Sequence, residues 1–595
     1  MRTLSSLLPY VRRHAWAIVF GILFVFLANS LALTVPIIIG QTVNLIEEGR
    51  IHPDNLFHLA FLAVCVAGVA ACFRFLMRRV IIDISREVEY EFRNDFFRKL
   101  QSLDPSFFDA RNTGDLMSRA TNDTDALRML MGPGVMYTAN TIFSLPIALT
   151  AMLWLDWRLT LVCMAPMLVL TPLVRYFGTR THRMSRLQQD SFGELTTTVQ
   201  ENLAGIRVVK AYRQEDFELR KFLERNDDYI DKSLELARLQ AMFFPSIRLL
   251  VGFGFTVLLL YGGHRIIQGH LEVGTLLSFL LLFGMIVWPL IAAGWVINLI
   301  QRGIASLERI NAILESVPSV TEPEDGAAVV VEAGPPSIEL RSLTFQYEGT
   351  LWPQLKDIDL HAPPGKTVGI VGPVGAGKST LVNLLSRFYP VPRGMIFFGG
   401  KDINDWPLSE LRRRISFVFQ ETFLFSDTIG WNIRFGSADN TPQDLVEEAA
   451  EIAQVHSDIG DLPRNYSTVL GERGVNLSGG QRQRVAIARA LMRQADILVL
   501  DDTLSAVDTH TEEAILGELR RIMERKTTFL ISHRLSTVAT ADEILVLDEG
   551  RIIQRGTHNE LNAQPGWYSE MYSRQLSERA IEDYDEEGFA EDPAT

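Results

Sequence analysis

The chain has 595 residues, 47% of them apolar and 22% charged, with a formal net charge of -14. A single hydrophobic core stops growing near roughly 250–300 residues, so a one-domain protein is excluded. The charge itself excludes little, because Leu576 to Thr595 carries eight acidic residues against one basic, Arg579, and supplies about half of it; this stretch is expected to be a disordered, solubilising tail.

A mean hydropathy of +0.11 fits either a greasy globule or a membrane half joined to a soluble half. The distribution decides between them. Apolar runs of about 20 residues, long enough to cross a bilayer, crowd the first three hundred positions and are absent afterwards. Six spans are predicted, at 15–38, 56–82, 133–154, 158–178, 245–268 and 273–299. The first is too long for a signal-peptide core and is read as retained. The three cysteines, Cys65, Cys72 and Cys163, all lie inside apolar runs, which suggests no disulfide framework and no metal site.

An even number of spans puts both ends on one side. The loops after spans two and four are long and rich in Arg and Lys, so these loops and both termini are expected in the cytoplasm. The segments Asp83 to Met131 and Thr179 to Phe244 have few helix breakers and apolar residues at helical spacing, which predicts helices projecting beyond the bilayer. Each is interrupted once, around Asp104 to Asp109 and around Ala204 to Tyr212. These interruptions fit short transverse docking elements better than ordinary loops, because long helical extensions need something to pack on.

The membrane domain is therefore 1–315. A shift to Pro, Glu, Gly, Ala and Val marks 316–336 as a linker. From 337 to 575, short apolar strands such as Thr367 to Val371 and Ile497 to Leu500 alternate with helical patterns, the sign of an α/β domain on a largely parallel sheet. Within it Gly372, Pro373, Val374, Gly375, Ala376, Gly377, Lys378, Ser379 and Thr380 follow a strand and open an apolar helix pattern at Thr380, the context a P-loop requires. Glycines there let backbone N–H groups wrap phosphates, Lys378 reaches the β and γ phosphates of ATP, and the Ser379 hydroxyl ligates Mg²⁺. The strand Ile497 to Leu500 ends in Asp501, a carboxylate placed to hold magnesium through water.

About twenty residues before that strand stand Leu477, Ser478, Gly479, Gly480 and Gln481. With these residues the chain resembles the ABC transporters, whose signature they match at every position. The resemblance implies further roles: Tyr347 stacks on adenine, Gln420 senses magnesium and the attacking water, Asp508 lies in the loop across the dimer, and His533 contacts the γ phosphate. Glu472, Arg473 and Gly474 are similar to the short motif with which exporters touch the membrane domain. In the membrane half, Phe107 and Phe108, followed by Gly114, Asp115 and Leu116 and by Asn122 and Asp123, resemble the first cytoplasmic loop of exporters. The run Gly205 to Tyr212 resembles the second, so the likeness covers about residues 1–575.

One residue departs from the pattern. The family normally has glutamate after the magnesium aspartate, and this chain has Asp502. Losing a methylene pulls the carboxylate back by about 1.5 Å, and a misplacement of about 1 Å can cost on the order of a hundredfold in rate. ATP binding is expected to survive while hydrolysis slows. Family nucleotide domains pair head to tail, so the intact signature here serves the opposite site. The combination resembles the degenerate-site subunit of heterodimeric bacterial multidrug exporters, whose partner has the glutamate and an altered signature. The expected function is export of amphipathic solutes (drugs, lipids or peptides) across a bacterial inner membrane, with no nucleic-acid partner. A homodimeric exporter, an importer and a membrane ATPase that regulates another protein remain the alternatives; a soluble repair ATPase is excluded by the spans. Asn29, Arg74, Asn140 and Arg248 are candidates to line a solute cavity, although Arg74 and Arg248 fall toward the cytoplasmic ends, where arginines snorkel.

Overall fold

Six helices long and apolar enough to cross a membrane occupy the first half of the chain: Ala15–Glu47, Pro53–Ser102, Thr113–Leu155, Trp157–Ala204, Glu215–Ile267 and Val273–Leu314. The computed structural model describes residues 5–50, 52–323, 334–437, 441–507 and 509–590. Several of these helices far exceed the length a bilayer takes. Pro53–Ser102 has 50 residues, about 75 Å at 1.5 Å per residue. Its polar half carries an Arg86, Glu89 and Arg93 group at one-turn spacings, with ion pairs of 3.1 and 2.8 Å, support suited to a helix outside hydrocarbon. Short helices stand at both interruptions, Pro105–Asp109 and Ile206–Ala211.

The chain divides into two compact units, Met1–Gln101 with Thr113–Ser316, and Ser102–Asn112 with Val317–Thr595. The first unit is centred on Val273–Leu314, whose Phe279, Leu282 and Phe283 are fully buried among Met152, Leu159, Cys163 and Leu258. Its backbone meets that of Ala15–Glu47 so closely at Gly274 and Gly40 that a Cβ on either would overlap the other's carbonyl. This is the close approach that small residues permit in membrane helices.

The second unit is built on ten strands: β1 (Ile338–Phe345), β2 (Leu355–Ala362), β3 (Thr367–Val371), β4 (Ile396–Phe398), β5 (Lys401–Asp402), β6 (Ile415–Val418), β7 (Ile497–Asp501), β8 (Thr527–Ile531), β9 (Glu543–Asp548) and β10 (Arg551–Gly556). They form an antiparallel sheet, β2-β1-β4-β5, and a six-stranded sheet, β10-β9-β3-β8-β7-β6, parallel except at the β10 edge. Every residue of β3, β7 and β8 is buried, as parallel strands covered on both faces must be. Side chains from these strands feed two apolar clusters, one containing Val371, Leu498 and Leu530, the other Ile370, Val499 and Phe529. The last helix, Trp567–Ala590, runs through much of the stretch read as a disordered acidic tail; residues 591–595 and ten linker residues, 324–333, lie outside the described ones.

The start of the linker is anchored within the second unit by Asp104, which is buried. Its carboxylate accepts from the Ser319 backbone N–H at 2.8 Å and hydroxyl at 2.6 Å, and from the Ser106 hydroxyl. Burial pushes its pKa up, but these hydrogen bonds outweigh burial and leave it below the ordinary 3.8. Such a depressed carboxyl stabilises the fold above its unfolded pKa and ceases to do so as pH falls through the folded one. Asp104→Ala is therefore expected to destabilise this unit by about 1–3 kcal/mol at neutral pH. In thermal unfolding, the gap to the wild type should close on acidification below about pH 4.

Candidate nucleotide site

In the six-stranded sheet β8 lies between β3 and β7, and Ile531 pairs in register with both Ile370 and Asp501. Val418 of β6 pairs with Leu500. The carboxyl ends of four strands thus finish level, and the residues just beyond them, from Gly372, Gln420, Asp502 and His533 onward, emerge at one edge. Ligands of open α/β sheets bind at this edge.

After β3 the chain turns through Gly372–Gly377 into a helix, Lys378–Leu385, that begins two residues before the predicted start at Thr380. Gly372 (φ 145°) and Gly377 (φ 99°) adopt left-handed conformations. A Cβ on Gly377 would come within 2.9 Å of the Gln354 carbonyl, and one on Gly372 would overlap that of Leu547, so glycine is required at both. Ala376 is buried beneath the loop, whereas Val374 is 89% exposed at its tip.

Lys378 is buried and its ammonium donates to the Gly372 and Pro373 carbonyls at 2.9 and 2.8 Å. Burial lowers its pKa, against the pull of Asp502 and Asp501. The Ser379 hydroxyl donates to Asp501 at 3.1 Å. Asp501 is itself pushed up, first by burial and then by neighbouring Asp502, with the Ser379 bond working the other way. Asp502 sits at φ 46°; its N–H donates to the Ile531 carbonyl at 3.0 Å and its carboxylate accepts from the His533 N–H at 3.4 Å. Together with Gly375, Thr380, Gln420 and the His533 side chain, these groups line a cavity of about 180 Å³.

Gln354 lines the same cavity and escaped the sequence reading. Its only signal was a polar residue shortly before β2, and pairing of its N–H with the Phe345 carbonyl, 2.8 Å away, carries it to the loop. Tyr347 stands at the rim, two residues beyond β1. Its hydroxyl lies 3.0 Å from the Thr380 hydroxyl, and its ring meets Tyr389 edge-on at 4.9 Å. The Tyr389 hydroxyl donates in turn to Asp109 at 2.7 Å, so the aromatic rim is joined within this unit to the short helix Pro105–Asp109.

The signature residues are not on this cavity. Ser478 caps the helix Gly479–Leu491: its hydroxyl accepts from the Gln481 N–H at 3.2 Å while the Gln481 side chain accepts from the Ser478 N–H at 3.0 Å. Ser478 is exposed, and Gly479 and Gly480 form the first turn. A Cβ on Gly480 would press on the Ala506 carbonyl at 2.9 Å. The result is a bare helix N-terminus suited to an anion. Asp508 lies outside the described residues.

The cavity gathers what binding of a nucleotide triphosphate needs: backbone N–H groups, an ammonium held within the loop, and carboxylates at the strand ends. The Ser379 hydroxyl, the Asp501 carboxylate and the Gln420 amide form a hard-oxygen donor set of the kind magnesium takes. Bound there, the ion would neutralise phosphate charge.

The profile described as "ABC transporter transmembrane region" matches residues 18–290 and the one described as "ABC transporter" matches residues 355–505. The chain is 36% identical over 584 residues to the multidrug resistance-like ATP-binding protein MdlA of Escherichia coli K12, covering 98% of each. To the ATP-dependent lipid A-core flippase of Syntrophus aciditrophicus it is 34% identical over 585 residues, 98% of this chain and 96% of that one. Among solved structures, a bacterial Atm1-family ABC exporter with ATP bound aligns at a TM-score of 0.77 and 28% identity, over 95% of this chain and 98% of that one.

Proposed function

The chain belongs to the ABC transporters, as a bacterial inner-membrane exporter with fused transmembrane and ATP-binding domains, and we propose that it moves amphipathic solutes out of the cytoplasm as one half of an unlike pair. Drugs, lipids and peptides are the solute classes in view; the similarity to a multidrug resistance-like protein and to a lipid A-core flippase supports the first two. Both termini and the ATPase domain face the cytoplasm in this reading, and magnesium accompanies ATP at Ser379, Asp501 and Gln420.

The observation that carries the unlike pair is Asp502. Every other part of the site has the residue expected of it, and Ser478 presents an intact, solvent-facing signature. A carboxylate one methylene short, already engaged by the His533 N–H, is poorly placed to orient water on a γ phosphate. The chain accordingly supplies one slow site and completes a fast one, formed with a partner that has the glutamate and an altered signature. At this chain's own slow site Gln420 attends magnesium and the attacking water, His533 contacts the γ phosphate, and Tyr347 carries the adenine.

The test is purification of the chain alone and together with the product of a neighbouring transporter gene. Alone, it is expected to bind ATP but turn over on the order of a hundredfold more slowly than the pair. Vigorous hydrolysis by the lone chain would overturn the unlike pair in favour of a homodimer.

A further inference from the structure

The membrane-spanning unit contains a second cavity, of about 400 Å³, within the range of about 300–1,000 Å³ that small-molecule sites take. Its wall is largely apolar, with Met77, Met136, Met285 and Trp288 among its residues. Flexible thioethers and one large ring adapt to varied apolar bodies. The sequence candidates Asn29, Asn140 and Arg74 lie on this wall, joined by Arg78, whereas Arg248 does not.

Arg74 and Arg78 are one helical turn apart on Pro53–Ser102 and so share a face, where like charges repel. Among the described residues neither has a carboxylate within ion-pair reach. The neighbouring Arg79 pairs with Asp83 at 3.8 Å, and Arg86 and Arg93 share Glu89. The two cations that face the cavity are thus the uncompensated ones on this helix face. A second polar group points the same way: Ser144, on the same wall, is 8% exposed and its hydroxyl has no hydrogen-bond partner among the described residues. Charges in membrane spans are costly unless an opposite charge meets them, and a buried hydroxyl is costly unless it is bonded.

We propose that this cavity takes an amphipathic anion, with its apolar body against the methionines and Trp288 and its carboxylate, sulfate or phosphate head between Arg74 and Arg78. Guanidinium forks match such heads and bind them through charge-assisted hydrogen bonds. The inference rests on the exporter reading and narrows its solutes to anions.

The test uses the full chain in a detergent with an uncharged head group. The probes are dansyl-labelled dodecanoate and the same dansyl chain ended in trimethylammonium, with binding read by energy transfer from tryptophan. The carboxylate is expected to bind at least about tenfold more tightly. That preference should fall to within about threefold in R74Q/R78Q, persist in R74K/R78K, and be unchanged in R79Q, whose arginine is off the cavity wall. A tenfold preference surviving in R74Q/R78Q overturns the proposal. So does equal loss in R79Q, and so does displacement of the probe by acetate or phosphate as readily as by unlabelled dodecanoate, which would make it a site for small anions. If the double variant is not recovered, R74Q and R78Q alone decide, and an unchanged preference in both overturns it. ATP-driven uptake of both probes is measured separately, in inverted vesicles that hold the chain together with the product of the neighbouring transporter gene. Uptake without anion preference sinks this inference alone, whereas anion preference in binding without ATP-driven uptake of either probe sinks the exporter reading and leaves the site standing.

Discussion

Asp502→Glu is expected to raise ATP hydrolysis by the purified chain by on the order of a hundredfold, with ATP affinity changed by less than about threefold. The rate rises because the added methylene carries the carboxylate about 1.5 Å further from the backbone, toward the phosphate end of the cavity. Affinity holds because the binding groups, Lys378, Ser379 and the loop N–H donors, are untouched. The lone chain suffices for the measurement, since the intact signature of a second copy can close the site. The same substitution has a cost in the fold. Asp502 sits at φ 46°, a conformation that short polar side chains such as Asp tolerate and longer ones resist. Stability should therefore fall, by under about 1 kcal/mol, while turnover climbs. A rate that stays within twofold of wild type would mean that the reach of this carboxylate does not limit hydrolysis.

The six spans were legible because each carries an apolar run that nothing else in the chain resembles, and the α/β domain was legible because 368–371 and 497–500 are short unbroken apolar runs within its strands. Helix ends were harder to read. The run at 56–82 lies inside a helix of 50 residues, Pro53–Ser102, since polarity marks where hydrocarbon stops and not where hydrogen bonding stops. The site was visible as motifs but not as a place. That Gly372, Gln420, Asp502 and His533 share an edge follows from the order β3-β8-β7-β6 and its register, which are long-range pairings with no local trace. The same holds for Gln354, brought in by a bond to Phe345, and for the Tyr389 to Asp109 contact, whose partners are 280 residues apart. The Ser478 and Gln481 capping box had the opposite character. Its Ser-x-x-Gln spacing is a local signal, overshadowed by the signature role of the same residues.

Lys378→Ala should separate binding from folding. Loss of the ammonium removes the one side-chain cation on the cavity's P-loop, and hydrolysis is expected to fall about 10²–10³-fold, the usual consequence of deleting a preorganised donor to phosphate or oxyanion charge. A purely structural lysine would instead lower stability, because its ammonium satisfies the Gly372 and Pro373 carbonyls. Its pKa sets the sign of the pH dependence. Burial holds Lys378 below the ordinary 10.5, so the charged form is disfavoured in the fold and the unfolded chain binds more protons between the two pKa values. Nucleotide-free wild type should therefore gain stability as pH rises toward 10.5 through this group, a gain that Lys378→Ala lacks. At neutral pH the variant should lose the stabilisation that saturating ATP confers on the wild type. Unfolding of the variant well below wild type, with ATP protection retained, would assign Lys378 to holding the loop and leave phosphate recognition to the backbone.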